Sequence, residues 1–285
     1  MGVCLLTSCA TLRNNKAEKL WTQGEAMLNA YEVYNKVPEE KARQSIAFFD
    51  QAIELKKDVA KYYNSRGLAY YHLRQYEQAR SDFDQILELD MFDDAGYNNR
   101  GMVFQKLKKY DKAKVDYQKA IALNSNNFLA YYNLGVLQST LKNYTQSIEY
   151  SSLAIQLNPA YDHAWYNRGR AKINLQQYED AIADFTTTLE KNPSYDHAFN
   201  NRGLCHYYLG RFEASVTDFD AALKIDPKNV YAMNNKANSL YETGATEQAC
   251  IWWQKALANG YVYDKSWKAL YNVDDPRELI DKHCH

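Results

Sequence analysis

Five asparagines stand 34 residues apart along this chain: Asn99, Asn133, Asn167, Asn201 and Asn235, with Ser65 at the same place one step earlier. An Asn side chain offers a donor and an acceptor, the pair that a peptide unit presents, so a row of them could hold the backbone of an extended chain. Asn inside a helix costs roughly 0.5–0.7 kcal/mol relative to Ala, so five copies need a cause. The rival cause is bonding to an adjoining segment or to water. An arginine follows Ser65 and three of these asparagines: Arg66, Arg100, Arg168 and Arg202. Sixteen residues further on stand Asp82, Asp116, Asp184 and Asp218. Where Leu134 or Lys236 replaces Arg, Tyr150 or Trp252 replaces Asp. Residues that come and go together read as an ion pair between two helices, worth ~0–1 kcal/mol if half exposed.

Other chemistry finds less support. His163 and His197 occupy equivalent places one period apart, so their backbones should lie about 10 Å from each other. A shared zinc needs nitrogens within about 2.1 Å, and no carboxylate recurs with them. They read as lining residues or helix starts, not as metal ligands. No catalytic or nucleotide-binding fingerprint occurs, so the chain reads as non-catalytic and without a cofactor. The cysteines, Cys4, Cys9, Cys205, Cys250 and Cys284, form no CxxC pair. The 34 Lys and Arg against 35 Asp and Glu, without long runs of one sign, argue against nucleic acid. No stretch approaches 18 apolar residues, so none spans a membrane.

The elements that must carry these residues share the same period. Gly67, Gly101, Gly135, Gly169 and Gly203 are followed twelve residues on by Ala79, Ala113, Ser147, Ala181 and Ser215. Sixteen residues on stand Phe83, Tyr117, Ser151, Phe185 and Phe219. A small residue in each of two helices lets them approach closely, and an aromatic fills the space beside them. Pro159, Pro193 and Pro227 then turn the chain into the next unit.

This pattern resembles the tetratricopeptide repeat family. The resemblance covers residues 60–263 as six units, 60–93, 94–127, 128–161, 162–195, 196–229 and 230–263, with a degenerate unit at 17–59. It implies an all-α fold, a right-handed superhelical solenoid of helix-turn-helix repeats. Residues 264–285 supply a C-terminal capping helix, with Asp275 as N-cap and Pro276 in its first turn. The resemblance also implies that the asparagine face of each first helix lies on an inner wall. There a protein or peptide partner would meet Asn99, Asn133, Asn167, Asn201 and Asn235, with His163, His197 and Arg170 on the same stripe. Leu129, Val136 and Tyr208 would line the floor between them. The family's carboxylate clamp is not matched, because Asn64, Asn98, Tyr132 and Asn201 stand where its charges would be.

At the start, residues 1–16 read as a signal-like segment and linker. Leu6-Thr-Ser-Cys9 resembles the lipobox of bacterial lipoproteins, which implies lipid on Cys9 and an envelope location, lipid-anchored or periplasm-facing. Only eight residues precede Cys9, with no basic start, and a cytoplasmic location is the alternative. In an oxidising envelope Cys250 could pair with Cys284 and staple the cap, as in similar bacterial repeat proteins; two buried thiols are the other reading.

Overall fold

The structure, a computed structural model, describes residues 2–32, 37–264 and 274–284, without the side chains of residues 2–9 and 29–32. Cys9 therefore lies outside the described side chains. Fifteen helices and no strand occur among the described residues. Helices α1 (Gly2–Glu32) and α2 (Glu39–Leu55) open the chain. The backbone of residues 2–16 is continuous with α1, and α1 and α2 form the degenerate hairpin. Six hairpins of equal size follow. They are α3 (Ala60–His72) with α4 (Tyr76–Leu89), α5 (Asp94–Lys106) with α6 (Tyr110–Leu123), and α7 (Phe128–Thr140) with α8 (Tyr144–Leu157). Then come α9 (Asp162–Asn174) with α10 (Tyr178–Lys191), α11 (Asp196–Tyr208) with α12 (Phe212–Ile225), and α13 (Val230–Glu242) with α14 (Thr246–Ala258). Helix α15 (Pro276–His283) closes the chain. The chain divides into two compact units, residues 1–137 and 138–285.

Each hairpin turn is built the same way. Arg74, Lys108, Lys142, Gln176, Gly210 and Gly244 all take positive φ, from 57° at Lys108 to 83° at Gly244. The next N–H then bonds five residues back, as in Gln75 to Tyr70 (2.9 Å) and Arg211 to His206 (2.9 Å), the six-to-one bond of a Schellman end. Gly adopts this conformation freely, whereas the four polar side chains carry a strain of about 1 kcal/mol each. Between hairpins the chain is stopped by Asx turns. The side chains of Asp90, Asn124, Asn158, Asn192 and Asp226 each accept from the N–H two residues on, at 2.9–3.2 Å. The Asn or Asp before each proline thus supplies the turn, and the proline only follows it.

Close approach inside four of the six hairpins is a matter of one missing methyl. A Cβ on Gly67, Gly101, Gly169 or Gly203 would lie 2.8, 2.7, 2.8 or 2.9 Å from the rings of Phe83, Tyr117, Phe185 or Phe219. Gly24 stands against Phe49 in the same way, which gives α1 and α2 the packing of the later hairpins. These rings are at most 1% exposed. The arginines then tie the hairpins together. Arg66, Arg100, Arg168 and Arg202 each donate Nε and Nη2 to both oxygens of Asp82, Asp116, Asp184 and Asp218, at 2.6–3.0 Å. Their Nη1 reaches the preceding hairpin, at Asp50, Asp84, Ser152 and Thr186. The aspartates are buried, their side chains 3–6% exposed, so the half-exposed case does not apply. Removing one partner of such a pair strands a buried charge, so the cost is well above that of a surface bridge.

The last hairpin and α15 share a core of Ala237, Leu240 and Trp253 with Leu279 and Ile280. Asp275 caps α15 by accepting from the Arg277 N–H at 3.0 Å. Cys250 and Cys284 are joined as a disulfide, their Cα atoms 5.7 Å apart. His283, at the end of α15, lies 3.1 Å from the Tyr241 hydroxyl. Cys205 is a buried free thiol, pushed up to about 12 by burial.

Two outcomes follow from this packing. Asp184→Ala, which strands Arg168 and Lys172 together, lowers the unfolding free energy by about 3 kcal/mol in urea titration; a loss under about 1 kcal/mol would place the pair at the surface in effect. Reducing the Cys250–Cys284 bond, which closes a loop with 34 residues of separation, costs about 3–4 kcal/mol. Hydrogen exchange would show that loss first in α15.

Candidate functional site

The five asparagines do not share one environment. Asn133 donates to Asn98 at 2.9 Å, Asn98 to Asn99 at 3.3 Å, and Asn99 to Asn64 at 2.8 Å. This is a relay of amides along α7, α5 and α3. In the second unit Asn235 donates to Asn200 at 3.3 Å, Asn200 to Asn201 at 3.3 Å, and Asn201 to the Tyr166 hydroxyl at 3.1 Å. The bond to the adjoining hairpin spans 35 residues, one more than the repeat, because it joins the second amide of one pair to the first of the preceding pair. Asn99, Asn133, Asn201 and Asn235 each spend one N–H inside the fold and keep the second, while Asn98 also donates to the Met102 sulfur at 3.9 Å.

Asn167 is different, and its assignment to a binding wall is corrected. Its side chain is buried (5% exposed) and donates to Ser151 at 2.9 Å and Ser147 at 3.3 Å. The serines that interrupt the Ala-and-aromatic pattern in the hairpin of α7 and α8 exist for this amide. Asn234 ends the row. It is 1% exposed, and neither amide atom has a partner among the described residues.

A concave pocket of about 420 Å³ opens on the first helices α9, α11 and α13. Its polar lining is Arg170 and Asn174 from α9, Asn200 and Asn201 from α11, and Asn235 from α13. Ile173 and Leu204 supply aliphatic surface, and Tyr208, Tyr231 and Tyr261 supply rings. The lining follows from helical spacing: residues 170 and 174, 201, 204 and 208, and 231 and 235 each share one helix face. Tyr208 is set by stacking on Tyr178, with ring centroids 5.1 Å apart, and Tyr231 meets Tyr261 edge-on at 5.9 Å. Burial pushes the phenol of Tyr261 above the ordinary tyrosine range, and that of Tyr166 as well, so both are neutral near pH 7. Arg170 is then the one charged side chain among the lining residues.

Of the residues expected at a binding wall, Asn201, Asn235, Arg170 and Tyr208 come together here. Asn99, Asn133, Leu129 and Val136 belong to the first compact unit, where Leu129 is 39% exposed and the amides form their own relay. His163 does not line the pocket. Its ring stands between those of Tyr161 and Tyr195, at 5.4 and 5.5 Å, beside Asp162. His197 is a solvent-facing side chain, 65% exposed, 3.5 Å from Asp196. Asn200, Ile173, Tyr231 and Tyr261 are additions. A second asparagine column at residues 64, 98, 200 and 234 was visible in the sequence and announces Asn200. Tyr261 lies beyond the helices, at the place of Pro193 and Pro227 in earlier hairpins, and nothing periodic points to it. No three His, Cys, Asp or Glu side chains converge as a metal site among the described residues. No described helix is long and apolar enough to cross a membrane.

Stacked helix hairpins with a lined inner face define a helical-repeat interaction scaffold. Models of the tetratricopeptide repeat match residues 60–93, 95–127, 116–149, 166–230 and 206–260, and the chain belongs to that family. Comparison with curated proteins yields no match. Among solved structures, YrrB, a TPR protein with an unusual peptide-binding site, is 26% identical, with a TM-score of 0.52, over 66% of this chain and 97% of its own. PilF of Pseudomonas aeruginosa is 18% identical over 78% of this chain and 96% of its own, with a TM-score of 0.66. A tetratricopeptide repeat protein of Parabacteroides merdae is 14% identical over 95% and 100%, with a TM-score of 0.60. At those identities the last two show the fold alone.

The two kinds of asparagine separate in a stability measurement. Asn167→Ala, which orphans two buried serines, destabilises by about 1–3 kcal/mol. Asn235→Ala costs less than about 1 kcal/mol by thermal unfolding followed in far-ultraviolet circular dichroism. Equal losses would make both amides structural.

Proposed function

We propose that the chain is a non-catalytic scaffold that holds an extended segment of a partner protein in the pocket on α9, α11 and α13. The observation that carries this reading is the spare capacity of its amides. Asn235 has spent one N–H, and its oxygen accepts no hydrogen bond from the described residues; Asn201 keeps a second N–H. Between them they offer the donor and acceptor that a peptide backbone needs. First helices about 8–10 Å apart make three helices span about 16–20 Å, the reach of five or six extended residues. Ile173, Leu204 and the tyrosines suit apolar side chains of such a segment. The likeness to YrrB supports the same reading.

Residues 1–137 favour a second role, as an architectural surface for assembly, because Met91, Phe92 and Val115 are exposed there. Tethering to a bacterial envelope through lipid on Cys9 is part of the proposal. It is supported by Leu6-Thr-Ser-Cys9 and by a disulfide, which persists in oxidising compartments.

The pair Asn201→Ala and Asn235→Ala tests the groove. With the full chain as bait in an extract of the source cell, a partner retained by the wild type should bind at least about tenfold less to the double variant. Unchanged capture by a variant that still unfolds cooperatively would move recognition to another face and leave the assembly role.

A further inference from the structure

We propose that the pocket on α9, α11 and α13 selects an acidic side chain, the guanidinium of Arg170 taking the carboxylate of an internal Asp or Glu while Asn235 and Asn201 hold the adjoining peptide units. This rests on the peptide-binding reading above and gives the bound segment its chemistry.

Arg170 is a charge that the fold does not use. The equivalent places in the other hairpins are Leu68, Met102, Val136 and Leu204, with Asn238 in the last, so no other hairpin puts a charge there. The structural arginines nearby, Arg168 and Arg202, are each pinned to an aspartate and to the preceding hairpin. Arg170, two residues past Arg168, leaves the helix on the pocket side. It is exposed, stands 5.9 Å from the Tyr166 ring, and pairs with no carboxylate among the described residues.

The surroundings favour one carboxylate and no more. The rest of the lining is neutral, amide, aliphatic or phenolic, so nothing there competes for the guanidinium and nothing doubles its charge. A guanidinium binds a carboxylate through two parallel N–H bonds, stronger than neutral hydrogen bonds. Within a concave wall the pair is less screened than on an open surface. Ile173, one turn from Arg170, and Leu204 on the next helix give an apolar neighbour of the acidic residue a place. The carboxylate is internal and not a chain end. A chain end wants several donors at one point, and the nearest amide, Asn174, already spends an N–H on the Arg170 carbonyl at 2.9 Å.

The test uses the full chain and random dodecapeptides displayed on phage, followed by synthetic versions of a selected peptide, acetylated and amidated. Selected peptides should carry Asp or Glu beside an aliphatic residue. Replacing that acid by its amide should weaken binding by about tenfold or more in fluorescence anisotropy. Arg170→Gln should cost the same for the acidic peptide, cost little for the amide version, and leave the fold intact by circular dichroism. If the amide version binds Arg170→Gln and wild type alike while Asn235→Ala abolishes binding, the acid preference is wrong and the groove reading stands. Tighter binding only by a free C-terminal acid would also overturn the internal-carboxylate assignment. If no displayed peptide competes at the pocket, both readings fall.

Discussion

The approach of the two helices within each hairpin is the constraint on which everything else in this protein rests. In four of the six hairpins, and in α1 with α2, a ring from the second helix lies over a glycine of the first, so close that a single added carbon would sit at 2.5–2.9 Å. Contacts of that kind set the distance between helix axes and repeat it down the chain. The repetition brings residues 35 apart within hydrogen-bonding reach of one another. Without a fixed step the amides of neighbouring hairpins would miss each other, and no lined face would form.

The arginines turn that step into a continuous structure. Each guanidinium holds a buried aspartate of its own hairpin and, through a third arm, the second helix of the preceding one. One side chain therefore sets both the closure of a hairpin and its register on its neighbour. In the last hairpin, where Lys236 replaces the arginine, the logic is kept with other parts. Lys236 pairs with Asp220 of the preceding hairpin at 2.5 Å and lies over the Trp252 ring at 4.0 Å, with Lys255 near the same ring at 4.4 Å. A cation over an aromatic face replaces the ion pair.

On the first helices the amides have more bonding capacity than the fold uses, and the proposed recognition draws on the remainder. An Asn offers four hydrogen-bonding sites, and the adjoining hairpin takes only one or two of them. Structure and recognition are therefore not rivals for the same residue. They divide its valences. In the second unit the remainder faces a pocket that also holds a guanidinium and three tyrosines. Arg170 marks this pocket because it is the one charge in a series that is otherwise Leu68, Met102, Val136, Leu204 and Asn238, and its guanidinium pairs with no carboxylate among the described residues.

The period itself, the hairpin boundaries and the partners of the arginines are set by the order of residues alone, since each depends on contacts that recur at constant separation. A recurring Arg and Asp can be paired on paper because both members repeat. The sequence also separates glycine and aromatic as packing from asparagine as something more. Which atoms of each amide stay available was decided only by the tertiary structure, since that depends on the nearest acceptor in space: Ser151 for Asn167, Asn200 for Asn235. The burial of the aspartates and the arrival of Tyr261 in the pocket likewise came from how hairpins stack. A repeat read along the chain carries spacing, but solvent exposure belongs to the assembled wall.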